Sequence, residues 1–277
     1  MIKLIGFDLD DTLLDSNKNI LDLEAVKKAI ANGVKVVLCS GRPFSKRTKE
    51  YYTDLGISDG YFCAYNGTVI YDIKTEEIVY ENSLNKDELF FIMDIVKKAI
   101  KDLEKTTDVS NLALCVHHNG NVYATANNEY LDLEVRLNKN KLFIGDFLDS
   151  GINDACKFMI DADPDIIAKL FPLIKEKIEP YFNVMVSMPC FIEVIKKESN
   201  KYKGLYEVAK LYGIEEDAIM AFGDSMNDYE LVKDAAYGIA MGNSVEEVKK
   251  VAKFVTDTND NHGVKKALEN YGVILKK

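Results

Sequence analysis

The sequence has no apolar run that approaches the roughly 20 residues of a membrane span. Its first apolar stretch, Met1 to Phe7, is too short for a signal peptide, and acids follow it at once. An excess of positive charge is also missing: 35 Lys and Arg stand against 45 Asp and Glu, a formal net charge of -10. Nucleic acids and anionic membranes select for such an excess. We therefore expect a soluble, cytoplasmic protein with no nucleic-acid or membrane partner; the sequence leaves its oligomeric state open.

Cysteine and histidine do not occur in the patterns typical of disulfides or zinc sites. The cysteines are odd in number, widely spaced and set among apolar residues, which favours buried thiols and a reducing compartment: Cys39, Cys63, Cys115, Cys156 and Cys190. His117 and His118 end a predicted strand and face opposite ways, with no acid or cysteine at ligand spacing. We expect no metal site at these histidines.

A chain of 277 residues with 47% hydrophobic content can bury a substantial core and is long for one compact domain. Strand, helix, strand patterns near the start, such as those around Val34 to Cys39, predict a parallel sheet with right-handed crossovers. Between residues 82 and 189 the pattern becomes that of an α+β module, and no Gly/Pro/Ser-rich linker bounds it. We predict an α/β fold, in which residues 1–81 and 190–277 form a Rossmann-like, doubly wound parallel sheet and residues 82–189 are an insertion.

The first predicted strand ends in a cluster of acids. Leu4 to Phe7 is apolar and leads directly into Asp8-Leu9-Asp10-Asp11-Thr12. Because side chains alternate across a strand, Asp8 and Asp10 should project the same way, and two close carboxylates need a shared proton or a cation. The Thr12 hydroxyl offers a donor for an anionic oxygen. The pattern favours a site where one carboxylate attacks, the next moves a proton and a metal screens both, although helix-capping acids would explain any one of them.

Polar residues also follow the next two predicted strands. Ser40-Gly41-Arg42-Pro43 lies between a strand and a helix, where free backbone N–H groups and the helix dipole favour an anion. Ser40 would equally suit an ordinary helix cap. Arg42 would suit a contact with a phosphate or with the body of a substrate, or a place on the surface. Asn66-Gly67, after the strand Tyr61 to Tyr65, is most typical of a hairpin turn.

A lysine cluster and a second group of acids come late in the chain. The densest positive charge of this acidic protein is a group of four lysines: Lys196, Lys197, Lys201 and Lys203. We expect one of them to reach the first acids. The apolar strand Ala218 to Phe222 leads into Gly223-Asp224-Ser225-Met226-Asn227-Asp228, and Asn243 follows a later strand as a possible supporting amide. If these strands are neighbours, the acids of both groups converge at one sheet edge and need a divalent cation. Oxygen ligands of this kind suit Mg²⁺ better than Zn²⁺.

Four motifs therefore stand in order over nearly the whole chain: DxDxT at Asp8 to Thr12, Ser40 after the second strand, a lysine before a helix, and GDxxND at Gly223 to Asp228. With them the sequence resembles the haloacid-dehalogenase-like phosphohydrolases, and among these the Cof-type subgroup. The resemblance implies that residues 82–189 are a C2-type α+β cap. It also implies that Lys201 is the third-motif lysine, with Lys203, just before Gly204, as the rival assignment.

The roles of the remaining residues follow from the same resemblance. Asp8 is implied as the nucleophile and Asp10 as the general acid and base. Thr12, Ser40 and Asn227 would bind phosphate, and Arg42 and Asn66 would lie beside the substrate. Mg²⁺ would be held by Asp8, the backbone carbonyl of Asp10, and Asp224, with Asp228 orienting the lysine and metal waters.

The expected activity is Mg²⁺-dependent hydrolysis of a small phosphorylated metabolite, a sugar phosphate or a phosphorylated cofactor, through an aspartyl-phosphate. Two alternatives remain open from the sequence. A phosphomutase of the same superfamily would pass the phosphoryl group to a sugar instead of releasing phosphate. A phospho-acceptor signalling protein would use an aspartate and Mg²⁺ without turnover, and would not need an acid and base at Asp10.

Overall fold

The computed structural model describes residues 1–138, 140–148 and 151–276, and the chain divides into two compact units. The first unit contains Met1–Tyr80 and the chain from Asn200 onwards; the second contains Glu81–Ser199. The second unit is thus inserted in the sequence of the first. Its end lies between Ser199 and Asn200, not between residues 189 and 190 as predicted, because the strand Phe191–Lys196 pairs with strands of the second unit.

Both units contain strands and helices. The first segment contains β1 (Leu4–Phe7), a π-type helical turn (Leu9–Leu13), α1 (Leu23–Ala31), β2 (Lys35–Cys39), α2 (Lys46–Leu55), β3 (Tyr61–Ala64), β4 (Val69–Asp72) and β5 (Ile78–Glu81). The insertion contains β6 (Leu84–Asn85), α3 (Lys86–Leu103), β7 (Ala113–His118), β8 (Asn121–Ala124), α4 (Glu129–Asn138), β9 (Leu142–Ile144), β10 (Asp154–Ala155), β11 (Lys157–Asp161), α5 (Pro164–Ile178), β12 (Phe182–Met188) and β13 (Phe191–Lys196). The last segment contains α6 (Lys201–Tyr212), β14 (Ile219–Gly223), α7 (Tyr229–Asp234), β15 (Tyr237–Ala240), α8 (Glu246–Val251), β16 (Phe254–Val255) and α9 (Gly263–Asn270).

The first unit is built on an eight-stranded sheet in the order β16-β15-β14-β1-β2-β3-β4-β5. Neighbouring strands from β16 to β3 run parallel, and β4 returns antiparallel to β3. Every residue of β1 is buried, as expected of a parallel strand covered on both faces. Strand order reverses at β1, and such a switch point opens a crevice at the carboxyl ends of the strands. The predicted α/β fold class is confirmed.

Two glycines allow α6 to lie close to the turn after β3. A side chain on Gly204 would collide with the sulfur of Cys63, and one on Gly67, whose φ is +90°, would collide with the carbonyl of Asn200. Asn200 caps the helix, since its side chain accepts a hydrogen bond from the backbone N–H of Lys203 at 2.8 Å. The first residue of α6, Lys201, is thereby placed beside the ends of the central strands.

The second unit has a six-stranded sheet in the order β12-β13-β11-β7-β8-β9, and α3 and α5 pack on one of its faces. Because side chains alternate along β11, Phe158 and Ile160 join this core while Lys157 and Asp161 point to the opposite face.

The Nζ atom of buried Lys157 lies 3.0 Å from Glu193 and 3.3 Å from Glu134. Burial, followed by the negative charge of Glu134, raises the pKa of Asp161 well above its usual range.

The histidines of β7 lie in this unit as well. His117 is fully buried, and burial lowers its pKa well below the usual value, so it is neutral near pH 7. His118 contacts Asp154 at 2.8 Å. Over the described ranges, neither histidine belongs to a cluster with metal-binding geometry. Among the same residues, no helix is both long enough and apolar enough to cross a lipid bilayer.

Candidate active site

The chain leaves β1 through a tight turn that carries the first acids. Asp8 is still fixed by the sheet, since its backbone N–H donates to the carbonyl of Phe222 in β14 at 3.1 Å. The π-type turn then begins at Leu9, with Asp11 in the left-handed region at φ +58°. The strand therefore ends before Asp10, and the strand alternation used to place Asp8 and Asp10 on one side does not apply. The two carboxylates have different partners.

Asp8 lies in a buried group of charges with Lys201 and Asp228. The lysine Nζ atom is 2.5 Å from Oδ1 of Asp8 and 2.6 Å from Oδ1 of Asp228. Burial, and then the charge of Asp228, raise the pKa of Asp8 well above its usual range, although Lys201 opposes the shift. Burial would lower the pKa of Lys201, but the two carboxylates raise it, so the lysine is charged. Lys203, the rival assignment, is exposed on α6.

Asp224 follows β14 and receives a hydrogen bond from the first loop. The hydroxyl of Thr12, which is buried, donates to Oδ1 of Asp224 at 2.8 Å. Burial and the neighbouring Asp228 raise the pKa of Asp224 to about 7. The sequence predicted that the Thr12 hydroxyl donates to a phosphate oxygen. In this structure it donates to a carboxylate instead, so Thr12 orients Asp224.

Asp228 is held by the backbone of its own loop. Its Oδ2 atom accepts hydrogen bonds from the backbone N–H groups of Asp224 and Ser225, at 3.1 and 3.2 Å. A side chain at Gly223 would collide with Asp228, so this loop needs glycine at that position. The Asp228 carboxylate is therefore held at both oxygens: Oδ2 accepts from the loop backbone and Oδ1 accepts from Lys201.

Three of the predicted metal-binding acids form a cluster that can hold a metal ion. One carboxylate oxygen from each of Asp8, Asp224 and Asp228 lies within 4.8 Å of the others. When all three carboxylates are ionised, they exceed the single positive charge of Lys201 by two, and a divalent cation would balance that difference. All the donors are oxygen atoms, which suits Mg²⁺ and not a soft metal. The side chain of Asp10, the fourth predicted ligand, lies outside this cluster.

Asp10 is instead paired with two cations. Arg42 donates to Oδ2 from Nε at 2.8 Å and to Oδ1 from Nη2 at 2.7 Å, and Lys18 lies 3.1 Å from Oδ1. Burial alone would raise the pKa of Asp10, but the hydrogen bonds and charges of Arg42, with those of Lys18, bring it below its usual value. The ionised form, which can accept a proton, is thus the stable one.

Ser40, Asn66 and Asn227 follow the ends of β2, β3 and β14 in the same sheet. Ser40 is buried after β2, its hydroxyl accepts from the backbone N–H of Arg42 at 3.2 Å, and its carbonyl accepts from that of Asn66 at 2.9 Å. The amide of Asn66 in turn accepts a hydrogen bond from Asn227 at 3.2 Å. Asn66 has φ +55° within the turn from β3 to β4, so the predicted hairpin is present. These contacts connect the loops that follow β2, β3 and β14.

Three further contacts hold the first loop, and those of Lys18 and Asn259 had not been predicted. Lys18 reaches Asp10 from a turn in which its own φ is +62°, a conformation that nothing in its sequence position signals. The amide of Asn243 donates to the carbonyl of Asp11 at 2.7 Å, and Asn259 donates to that of Leu14 at 3.0 Å. The Gly242-Asn243 pair was a visible signal for an amide near the site, whereas Asn259 lacked one.

The comparisons agree with this geometry. A family model described as haloacid dehalogenase-like hydrolase matches residues 5–268. The "Putative phosphatase YxeH" of Bacillus subtilis (strain 168) is 32% identical over 274 residues, which are 97% of each chain. From the same organism, 5-amino-6-(5-phospho-D-ribitylamino)uracil phosphatase YitU is 28% identical over 272 residues, again 97% of each chain. A solved structure of a haloacid dehalogenase-like hydrolase from Bacteroides thetaiotaomicron has a TM-score of 0.78 at 26% identity, covering 98% of this chain and 100% of that one.

With a doubly wound sheet and acids at its switch point, the chain belongs to the haloacid dehalogenase-like hydrolases, in their Cof-type subgroup. It is a phosphatase, that is, a phosphoric monoester hydrolase. The family resemblance and the enzyme class predicted from the sequence are thereby confirmed.

Proposed function

We propose that the protein is a Mg²⁺-dependent phosphatase that hydrolyses a small phosphorylated metabolite through an aspartyl-phosphate on Asp8. One observation carries the proposal: two acids only two residues apart are placed in different environments. Asp8 is buried against Lys201 as a member of the candidate metal-binding cluster, whereas Asp10 contacts Arg42 and Lys18. Carboxylates separated in this way are suited to separate roles in one reaction.

In the proposed reaction, an oxygen of Asp8 attacks phosphorus and Asp10 protonates the leaving oxygen. Asp10 then takes a proton from the water that hydrolyses the aspartyl-phosphate. Arg42 stabilises the ionised form of Asp10, which is the form that takes a proton from this water. The protonated form of Asp10, which the first step needs, is the less stable of the two. In this proposal Lys201 neutralises the phosphate, and Ser40 and Asn227 donate hydrogen bonds to it.

Mg²⁺, when bound, supplies positive charge to the phosphate oxygens at this site. Asp8, the backbone carbonyl of Asp10, and Asp224 are the groups that would hold it, with Thr12 orienting Asp224 and Asp228 orienting Lys201. The all-oxygen donor set and the unbalanced negative charge of the cluster support this assignment.

For the substrate, we propose a sugar phosphate or a phosphorylated cofactor. One relative is a phosphatase of 5-amino-6-(5-phospho-D-ribitylamino)uracil, a small molecule that carries a phosphorylated sugar-like chain. The net charge of -10 supports the absence of nucleic-acid and membrane partners. A cytoplasmic location is part of the proposal and is supported by five free, buried cysteines.

We also propose that the inserted unit, Glu81–Ser199, is the cap that selects the substrate. Replacing it by a short Gly/Ser linker should leave a core that cleaves activated aryl phosphates but no longer discriminates among natural monoesters, because the residues that read the leaving group are removed. If the trimmed core keeps the parent's ranking over a panel of monoesters, the insertion is not the specificity element.

The reaction is tested by phosphate release from an aryl phosphate. Asp8→Asn should abolish both turnover and labelling by phosphate or its fluoride analogues, whereas Asp10→Asn should slow turnover by roughly 10²–10⁴. Asp54→Asn, at an exposed acid of α2, is the control and should be fully active. Substantial activity in Asp8→Asn would exclude the aspartyl-phosphate, and transfer of phosphate to an added sugar without its release would indicate a phosphomutase.

A further inference from the structure

Arg42 contacts Asp10 through two separate N–H groups. Its Nε and Nη2 atoms lie 2.8 and 2.7 Å from different oxygens of the carboxylate. A two-point contact of this kind fixes the plane of a carboxylate as well as its position. Lys18 makes a single-point contact to Oδ1 at 3.1 Å, which leaves the carboxylate free to rotate.

The backbone of Arg42 is itself tied to two strand ends. Its N–H donates to the hydroxyl of Ser40 at 3.2 Å, and its carbonyl accepts from the N–H of Tyr65 at 3.3 Å. The side chain is 28% exposed, against 47% for that of Lys18. Arg42 is therefore a fixed part of the loops after β2 and β3 and not a mobile surface arginine. Through its guanidinium it connects these loops to Asp10, which lies in the separate turn after β1.

We infer that Arg42 is a positioning residue, which holds the Asp10 carboxylate in the orientation for proton exchange with the leaving oxygen and with water. The inference rests on the proposed role of Asp10 as general acid and base. It differs from the substrate-binding role predicted for Arg42 from the sequence: two of the five guanidinium donors are used by Asp10, and the measurements below separate the two roles.

A positioning role makes the effect of Arg42 depend on the leaving group. Phenyl phosphate and 4-nitrophenyl phosphate have closely similar shapes, but 4-nitrophenolate leaves readily without a proton and phenolate does not. Arg42→Met should lower kcat/KM for phenyl phosphate roughly 10²-fold, the cost of a misplaced reacting group, and that for 4-nitrophenyl phosphate much less. We call this larger loss for phenyl phosphate the leaving-group bias. Asp10→Asn is the reference variant and should show this bias more strongly than Arg42→Met.

Three variants accompany this measurement. Arg42→Lys keeps the charge without the two-point contact and should show the bias in weaker form. Lys18→Met should have a smaller effect than Arg42→Met, since it removes a single, more exposed contact. Arg47→Met is the matched control, because Arg47 also pairs with a carboxylate, that of Glu50 at 3.0 Å, but on the surface of α2. It should leave both rates unchanged.

The double variant Asp10→Asn/Arg42→Met decides whether Arg42 acts through Asp10. If it does, the double variant is no slower than Asp10→Asn alone; independent effects would multiply. Thermal unfolding checks that each variant is folded, and if Arg42→Met is not, Arg42→Lys carries the same comparison of the two esters.

Two results would overturn the inference. Equal losses for both esters together with a raised KM would assign Arg42 to substrate binding, and multiplying losses in the double variant would make it act independently. In either case an active wild type with a biased Asp10→Asn variant would leave the proposed function intact. A wild type that releases phosphate from neither ester would remove the proposed function and the positioning role together.

Discussion

The Nζ atom of Lys201 lies 2.5 Å from Oδ1 of Asp8, although 193 positions separate the two residues in the sequence. Both side chains are buried, and the same Nζ atom also contacts Asp228. A buried carboxylate pair without a cation would be strongly unfavourable, so the cluster needs the lysine independently of the phosphate-binding role proposed for it.

Lys201→Met should lower kcat by roughly 10²–10³, because a charge aimed at the phosphate is lost. It should also lower the free energy of unfolding in EDTA, by up to about 3–5 kcal/mol, since two buried acids lose their cation. Lys203→Met removes an exposed lysine from the same helix and should leave both quantities unchanged. Phosphate-release kinetics and urea unfolding measure the two effects, and equal losses in the two variants would contradict the assignment of Lys201.

Mg²⁺ should raise the melting temperature of the wild-type protein relative to EDTA. An ion that binds only the folded cluster stabilises by about 2.7 kcal/mol at 100 times its Kd. Asp224→Asn should lose most of this increase, because one of the three clustered carboxylates is gone. Asp54→Asn should keep it. Thermal unfolding with and without Mg²⁺ is the measurement, and an undiminished increase in Asp224→Asn would show that the ion binds elsewhere.

Thr12→Val should weaken Mg²⁺ binding by about 10–100-fold, the usual cost of removing a partner of a metal ligand. The variant keeps the shape of the side chain but loses the hydrogen bond to Asp224. Thr12→Ser restores the hydroxyl and should bind nearly as the wild type does. The dependence of kcat on Mg²⁺ concentration measures this affinity. If Thr12→Val raises KM for the phosphate ester at unchanged Mg²⁺ affinity, Thr12 contacts phosphate after all.

Asp161→Asn should change how stability depends on pH. The raised pKa means that the native state keeps its proton on Asp161 to a higher pH than the unfolded chain does. Raising the pH through the ordinary carboxyl range therefore removes the proton from the unfolded chain while the native state keeps its own, and this lowers the free energy of unfolding until the native carboxyl also ionises. Without that carboxyl, the variant should lose less stability between pH 5 and pH 8 than the wild type. Urea unfolding at both pH values tests this, and parallel curves would mean that Asp161 is ionised throughout.

The sequence predicted the sheet of the first unit and the strand ends at which Asp8, Ser40 and Asp224 lie. These features depend on local patterns, since a buried parallel strand is a short apolar run and polar residues must begin where it ends. The end of the insertion was misplaced because an apolar strand such as β13 would suit the sheet of either unit. Only its pairing with β11 and β12 assigns it to the second unit.

Side-chain partners within the site were less predictable. That Arg42 contacts Asp10 follows from the path of the turn after β1, with its positive φ at Asp11, and from the fixed backbone of the loop after β2. Neither can be obtained from residue spacing. The same applies to Thr12, because the sequence does not show whether its hydroxyl donates to a phosphate or to the Asp224 carboxylate. It applies as well to Lys201, which begins a helix where a loop had been expected.

The position of β1 also has a consequence for synthesis of the protein. Its neighbour β2 follows within the first forty residues, but its other neighbour, β14, begins at Ile219. In a chain emerging from the ribosome, Asp8, the proposed nucleophile, is therefore made long before Lys201 and Asp224, while the contiguous second unit can fold in the interval. Until the last segment adds β14, β1 lacks one of its two neighbours in the sheet. We therefore expect the proposed catalytic centre to be among the last parts of the molecule to form.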